Sequence, residues 1–164
     1  AAQMNFGVTQ TSGDILQFIH ADTTPPTTFY NDVHKAINEN YLAGCFTYRF
    51  NSSSLILKIN AYFTRFNQLW CRGGDQAIFI KREVFEEFGG YQDDYLIMEE
   101  YELLKKIFKN YSFKIIKNDA TVSARKYKNN AYLRVQIANF LVFNMYRFGY
   151  SQQRMVNLYR RILR

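Results

Sequence analysis

The stretch Asp14-Ile15-Leu16-Gln17-Phe18-Ile19-His20-Ala21-Asp22-Thr23 decides how this chain folds. Residues 14–19 are a short apolar run and read as a buried strand. The run gives way at once to polar residues just past its carboxyl end, where open α/β sheets bind ligands. Before it, residues 1–12 read as the end of a helix stopped by Gly13, which is free to take the left-handed cap conformation. After it, Thr24-Pro25-Pro26-Thr27-Thr28 is a turn that holds both prolines of the chain. A helix is expected over 28–38, with Thr27 or Thr28 as its N-cap.

Further along, residues 42–50 alternate well enough for a strand. Asn51-Ser52-Ser53-Ser54 then precedes an expected long amphipathic helix over 55–70, with Leu55, Ile59, Tyr62, Phe63 and Phe66 on one face. A loop at 71–76 leads to a short strand over 77–80 and a short helix over 81–88, stopped by Gly89-Gly90. A helix over 98–110 follows, then strands over 112–116 and 120–124. Two helices close the chain, over 129–148 and 151–163, separated by Gly149. Strands and helices alternate throughout, so the class is α/β.

At 164 residues the chain fits one domain. Its apolar content of 48% builds a core and excludes disorder. The net charge of +7 suits an anionic partner. The excess is polarised, with 83–102 acidic and both 105–128 and 147–164 basic, and it forms no single stripe with base-stacking aromatics. Nucleic acid is therefore not the expected partner. Cys45 and Cys71 have no CxxC spacing and no histidine cluster, so neither a zinc site nor a disulfide framework is expected. Two reduced cysteines and no secretory signal point to the cytoplasm. The most apolar stretch, 131–148, is broken by Arg134, Gln136, Asn139 and Asn144, short of the about 18 residues of a spanning helix. The chain opens in what reads as mid-helix, as expected of part of a longer protein.

Four constellations suit chemistry. Asp22, just after a strand, suits a hard cation such as Mg²⁺ or Mn²⁺, with His20 as a second ligand or a phosphate donor; the same residues suit a plain strand end before a turn. Glu99-Glu100-Tyr101-Glu102 opens a helix, where carboxylates are favoured by the helix dipole. One of Glu99 and Glu100 can instead serve as a general base. Gly73-Gly74-Asp75-Gln76 allows close backbone approach, with Asp75 and Gln76 placed for sugar hydroxyls, or simply begins a strand. Arg125, Lys126, Tyr127, Lys128 and the aromatics to Phe148 suit a membrane interface or an ordinary core or oligomer helix.

Taken in order, these pieces resemble family 2 glycosyltransferases. Residues 3–26, with Gly13-Asp14 and His20-Ala21-Asp22-Thr23, resemble the middle of that family. Gly73 to Phe85, Gly89-Gly90-Tyr91 and Met98-Glu99-Glu100 look like its acceptor segment. Phe148-Gly149-Tyr150-Ser151-Gln152-Gln153 to Leu158-Tyr159-Arg160 resembles a subgroup named as transferase 2 proteins associated with radical-SAM and selenium domains.

The resemblance implies a GT-A fold lacking its N-terminal strands, with 1–128 as a partial catalytic domain and 129–164 as a C-terminal helical extension. It implies transfer of a sugar from a UDP- or GDP-linked donor to a hydroxyl acceptor, with inversion, helped by Mg²⁺ or Mn²⁺. Asp22 falls on the last residue of the family's Asp-x-Asp metal motif, with His20 where the first Asp usually stands. Glu100 falls on the catalytic-base position, usually Asp. Gly74, Asp75, Gln76 and Glu99 are assigned to the acceptor, and Asn5 and Arg125 to the donor phosphates. The basic, aromatic C-terminus suggests a lipid-linked acceptor, peripheral contact at the inner membrane surface, or a homo-oligomer. The strand at 15–19 is expected to have an unpaired edge, and this chain alone is expected to bind nucleotide-sugar poorly. The competing class is a non-catalytic scaffold of the same fold.

Overall fold

A computed structural model of the chain describes residues 1–163. Its elements run α1 (Ala2–Thr9), β1 (Ile15–Phe18), β2 (Thr23–Thr24), α2 (Phe29–Asn38), β3 (Ala43–Phe50) and α3 (Leu55–Tyr62). They continue through β4 (Ile78–Lys81), α4 (Arg82–Glu87), α5 (Glu99–Asn110), β5 (Phe113–Val122), α6 (Arg125–Asn129), α7 (Tyr132–Arg147) and α8 (Gln152–Ile162). The mixed α/β class expected from the sequence is what the chain adopts.

The five strands form one sheet in the order β1-β4-β3-β5-β2. The β3–β5 pair is parallel and the other pairs are antiparallel. Among the described residues β1 pairs only with β4, so it is an edge strand, as its expected unpaired edge required. Ile78, Phe79 and Ile80 of β4 are all buried, because helices cover both faces of the sheet there. On one face Ile78 and Ile80 pack with Leu16, Val84, Leu103, Leu104 and Ile107. On the other, Phe79 packs with Phe46, Ile116 and Val33 and Ala36 of α2. The helical spacing of Leu103, Leu104 and Ile107 is what buries one side of α5, at about 1.5–3 kcal/mol per side chain. Gly44 lets Phe79 cross β3, since a Cβ there would lie 2.5 Å from the Phe79 ring and from the Lys114 carbonyl.

Several boundaries differ from expectation, each for a tertiary reason. The helix expected over 55–70 ends at Tyr62 and breaks into 3₁₀ turns at Phe63–Arg65 and Leu69–Cys71. The Thr64 hydroxyl donates back to the Ala61 carbonyl (2.7 Å), and the Arg72 guanidinium takes the Thr64 and Phe66 carbonyls that a continuing helix would use. The face named from periodicity is also turned outward. Leu57 and Ala61 are buried, whereas Leu55, Ile59, Tyr62, Phe63 and Phe66 are exposed.

The two strands expected at 112–116 and 120–124 are one strand, β5. Its register against β3 jumps from Phe46↔Ile116 to Tyr48↔Ala120, so residues 117–119 bulge opposite Thr47. The bulge is tied down by Asp119, which accepts from the Thr47 hydroxyl (2.5 Å) and from Arg65 (3.1 Å). Helix α1 ends at Thr9 and not at Gly13, because Arg82 donates to the carbonyls of Val8, Thr11 and Gly13 and holds that segment extended. Gly89, Gly90 and Gly149 all adopt positive φ, as their helix-stopping role required.

Candidate functional site

The antiparallel β1–β4 register sets Phe18 opposite Ile78. Continuing both chains past that pair brings His20-Ala21-Asp22 beside Gly74-Asp75-Gln76, two segments more than fifty residues apart in sequence. The His20 turn is pinned by Thr23 N donating to the His20 carbonyl (3.0 Å) and Ser123 N donating to the Asp22 carbonyl (3.0 Å). Gly74–Gln76 forms a 3₁₀ turn, and Ala77 leaves it in the left-handed region with φ 47°. Met98, at φ 61°, turns the chain into α5 so that Glu99 and Glu100 begin the helix beside these two segments. Non-glycine residues in that region cost of order 1–3 kcal/mol and concentrate at ligand sites. Met98 lines the cavity, and Ala77 directly follows Gln76, which also lines it.

His20, Asp22 and Asp75 each present a ligand atom within 4.8 Å of the others. His20 Nδ1 lies 3.7 Å from Asp75 Oδ1. One imidazole nitrogen and two carboxylate oxygens suit Mn²⁺ well, and Mg²⁺ through its oxygen preference. Burial pushes the Asp75 carboxyl above its ordinary value, opposed by His20 and Lys126 and reinforced by Asp22. A divalent cation relieves that like-charge crowding, so the donor set fits one.

Glu100 stands next to this group. Burial raises its carboxyl, Glu99 raises it further, and its own amide, His20 and the Gly74 amide oppose the shift. A raised carboxyl is the property a general base needs to work near neutral pH. Gly74 is what allows the approach. A Cβ on Gly74 would fall 2.1 Å from His20 Nε2 and 3.0 Å from Glu100 Oε1. Gly74→Ala therefore displaces His20, and Mn²⁺ affinity is expected to fall about 10- to 100-fold; titration of free Mn²⁺ by electron paramagnetic resonance measures it. Unchanged affinity would remove His20 from the ligand set.

These groups line a cavity of about 840 Å³, within the range of about 300–1,000 Å³ typical of small-molecule sites. Its far wall is aromatic. Tyr127 stacks on Tyr132 at 5.9 Å and meets Phe50 edge-on at 5.3 Å, and Tyr48 packs against Phe50 at 5.1 Å. The Tyr48 hydroxyl donates to Asn60 Oδ1 (3.2 Å), whose Nδ2 donates to the Tyr132 hydroxyl (3.3 Å). Burial raises the Tyr127 hydroxyl to about 12, so it remains a neutral donor. Such a wall offers flat faces to a ring and hydroxyls to its edge.

Of the residues expected at the site, His20, Asp22, Gly74, Asp75, Gln76, Glu99 and Glu100 all line this cavity. Gln76 spends its amide within the protein: Nε2 donates to the Cys71 carbonyl (2.9 Å) and Oε1 accepts from the Cys45 thiol (3.5 Å). Asn5 and Arg125 are not among the lining residues. Asn5 clamps the Tyr91 backbone, donating to its carbonyl (2.7 Å) and accepting from its amide (3.1 Å). Arg125 is exposed on α6. Sequence reasoning set Asp75 among acceptor-binding residues, and in the structure its Oδ1 lies 3.7 Å from His20 Nδ1 on the cavity wall. It also missed Tyr48, Phe50 and Tyr132 as a wall, because residues on β3 and α7 carry no shared spacing. No protein-family model matches this chain, and no curated protein matches it.

Proposed function

We propose that this chain is the metal- and acceptor-handling part of a glycosyltransferase of the family 2 type, with a GT-A-like fold. It moves a sugar from a nucleotide-diphosphate donor to a hydroxyl acceptor. The observation that carries this reading is the shared cavity: His20, Asp22 and Asp75 converge beside Glu100, a half-buried carboxylate with a raised pKa. In this reading residues 1–128 form the catalytic part and 129–164 a helical extension.

Glu100 takes the proton from the acceptor hydroxyl. The acceptor oxygen bonds to the anomeric carbon as the bond from that carbon to the diphosphate oxygen breaks, and the electron pair leaves with the nucleoside diphosphate. His20, Asp22 and Asp75 would hold a divalent cation, which when bound would supply positive charge against the diphosphate. The aromatic wall orients the transferred or accepting ring and excludes water, which would otherwise compete as acceptor.

Mn²⁺ titration tests the first half. One ion is expected to bind, with affinity lowered at least about tenfold in Asp22→Ala and in Asp75→Asn. A panel of labelled UDP- and GDP-sugars, incubated with and without Mn²⁺, tests the second half. Turnover that requires Mn²⁺ supports transfer. Mn²⁺ binding with no turnover of any donor would leave a non-catalytic binding module instead.

A further inference from the structure

Two helices that border the cavity are apolar on the side they turn away from the protein. Helix α7 buries Val135, Ala138, Val142 and Tyr146 along one face. Its opposite face carries Leu133, Ile137, Phe140 and Leu141, with Leu133 69% and Phe140 67% exposed. Helix α3 buries Leu57 and Ala61 but exposes Leu55, Ile59 and Tyr62, and Phe63, Phe66 and Trp70 continue the exposed surface beyond it. A helix apolar on all sides is ordinarily buried, and a large exposed apolar surface marks an interaction site. The two surfaces adjoin. Asn60 on α3 bonds to Tyr132 on α7, and Phe63, Trp70 and Phe140 all line the cavity as well as facing solvent. Phe63, Trp70 and Phe140 thus join the apolar surface to the rim of the cavity.

The charged residues of α3 and α7 themselves have one sign. No Asp or Glu occurs between residues 40 and 74, or anywhere after Asp119. Lys58 on α3, Arg134 and Arg147 on α7 and Lys128 on α6 are exposed and form no ion pair among the described residues. Aromatic and aliphatic side chains ringed by unpaired cations match an anionic lipid interface, where the chains enter the acyl boundary and the cations meet phosphates. A second copy of the chain placed on the same surface would set these cations against each other, since neither helix carries a carboxylate to receive them and the nearby Asp119 already pairs with Arg65. Among the described residues, no helix is long and apolar enough to cross a membrane, so contact is in the plane of the interface.

We infer that the outer faces of α3 and α7 dock on an anionic membrane surface, holding the rim of the cavity at the lipid headgroups. An acceptor anchored in that membrane then reaches the cavity without leaving the bilayer.

Trp70 reports on this directly, since it is the one tryptophan of the chain and is 57% exposed within the surface. Adding vesicles of phosphatidylcholine mixed with phosphatidylglycerol is expected to shift its emission to the blue, and lipids with doxyl-labelled chains are expected to quench it. Ile59→Ser combined with Phe140→Ser is expected to raise the half-saturating lipid concentration at least about tenfold. Lys58→Glu combined with Arg134→Glu is expected to do the same, because each basic residue contributes to attraction by anionic lipid. All four positions are exposed, and unchanged circular dichroism checks that the variants fold. Docking would be refuted by an unshifted emission at low salt, or by equal binding to phosphatidylcholine alone. A doubled mass in light scattering that the serine variant abolishes would assign the surface to a second copy instead. Vesicle binding and sugar transfer are separate measurements, so either can fail without the other.

Discussion

Glu100→Gln is expected to lower the proposed sugar transfer by about 10²–10⁴-fold, the usual contribution of a general base, while raising thermal stability at neutral pH. The two effects have one cause. Burial raises the Glu100 carboxyl above its ordinary value, so the folded state binds its proton more readily than the unfolded chain does. The sign follows from linkage: the carboxyl favours the fold below the unfolded value of about 4.3, and that contribution is lost as pH rises through the raised folded value. Glutamine stays neutral at every pH, so the variant is expected to melt higher than wild type at pH near 7 and to lose that advantage in acid. A base works only when deprotonated, so the acid limb of the wild-type kcat/KM profile is expected above the ordinary carboxylate range and absent from the residual activity of the variant. Melting curves at two pH values and a rate–pH profile measure both. Full transfer by Glu100→Gln would move the base elsewhere, with Glu99 the next carboxylate on the cavity.

Arg72→Met is expected to have the largest effect on stability. The Arg72 side chain is buried, and its guanidinium serves four acceptors: the carbonyls of Gln68 (3.3 Å), Thr64 (2.8 Å) and Phe66 (2.5 Å), and Cys45 Sγ (2.8 Å). Its own carbonyl accepts from the Tyr101 hydroxyl (2.8 Å), which ties this loop to α5. Methionine fills the space but removes four hydrogen bonds from a charged donor, each worth about 1.5–3 kcal/mol; the Phe66 and Gln68 carbonyls keep only the backbone amides of Gln68 (2.9 Å) and Cys71 (3.0 Å). A loss of about 3–5 kcal/mol is expected, or a fall in Tm of about 10 °C or more for a chain of this size. Arg72→Lys keeps the charge without the fork and is expected to recover only part of the loss. Urea unfolding of the three proteins measures it. A loss below about 1 kcal/mol would mean that the loop finds other donors.

Arg72 also shows where reading from the sequence stops. Helical periodicity placed an apolar stripe at Leu55, Ile59, Tyr62, Phe63 and Phe66, and those residues do share a face of the chain. Nothing in the spacing says which face is covered, and the stripe faces solvent. The helix ends early because a guanidinium from a later loop takes its carbonyls, a contact invisible to any local window. Likewise, Lys117-Asn118-Asp119 has the composition of a turn. Pairing with β3 on both sides and the grip of Thr47 and Arg65 on Asp119 turn it into a bulge. Asn5 was expected among donor phosphates, yet the chain folds it against Tyr91.

The strand at Ile15–Phe18 with His20-Ala21-Asp22 after it was legible from the start. An apolar run followed by polar residues and a turn is a local pattern, and local patterns survive into the fold. The same holds for Gly89 and Gly90, whose backbone freedom ends a helix, and for the carboxylates that open α5 at the positive end of its dipole. What the sequence by itself determined is thus the kind of element where a local pattern is strong, and the residue types at its ends. Only the tertiary structure decided which ends meet. Antiparallel pairing of Phe18 with Ile78 carries Asp75 to the imidazole of His20, and the missing side chain of Gly74 lets Glu100 close in from a third segment. Burial raises the Asp75 and Glu100 carboxyls above their ordinary value, and burial belongs to the packed molecule and not to any stretch of the chain.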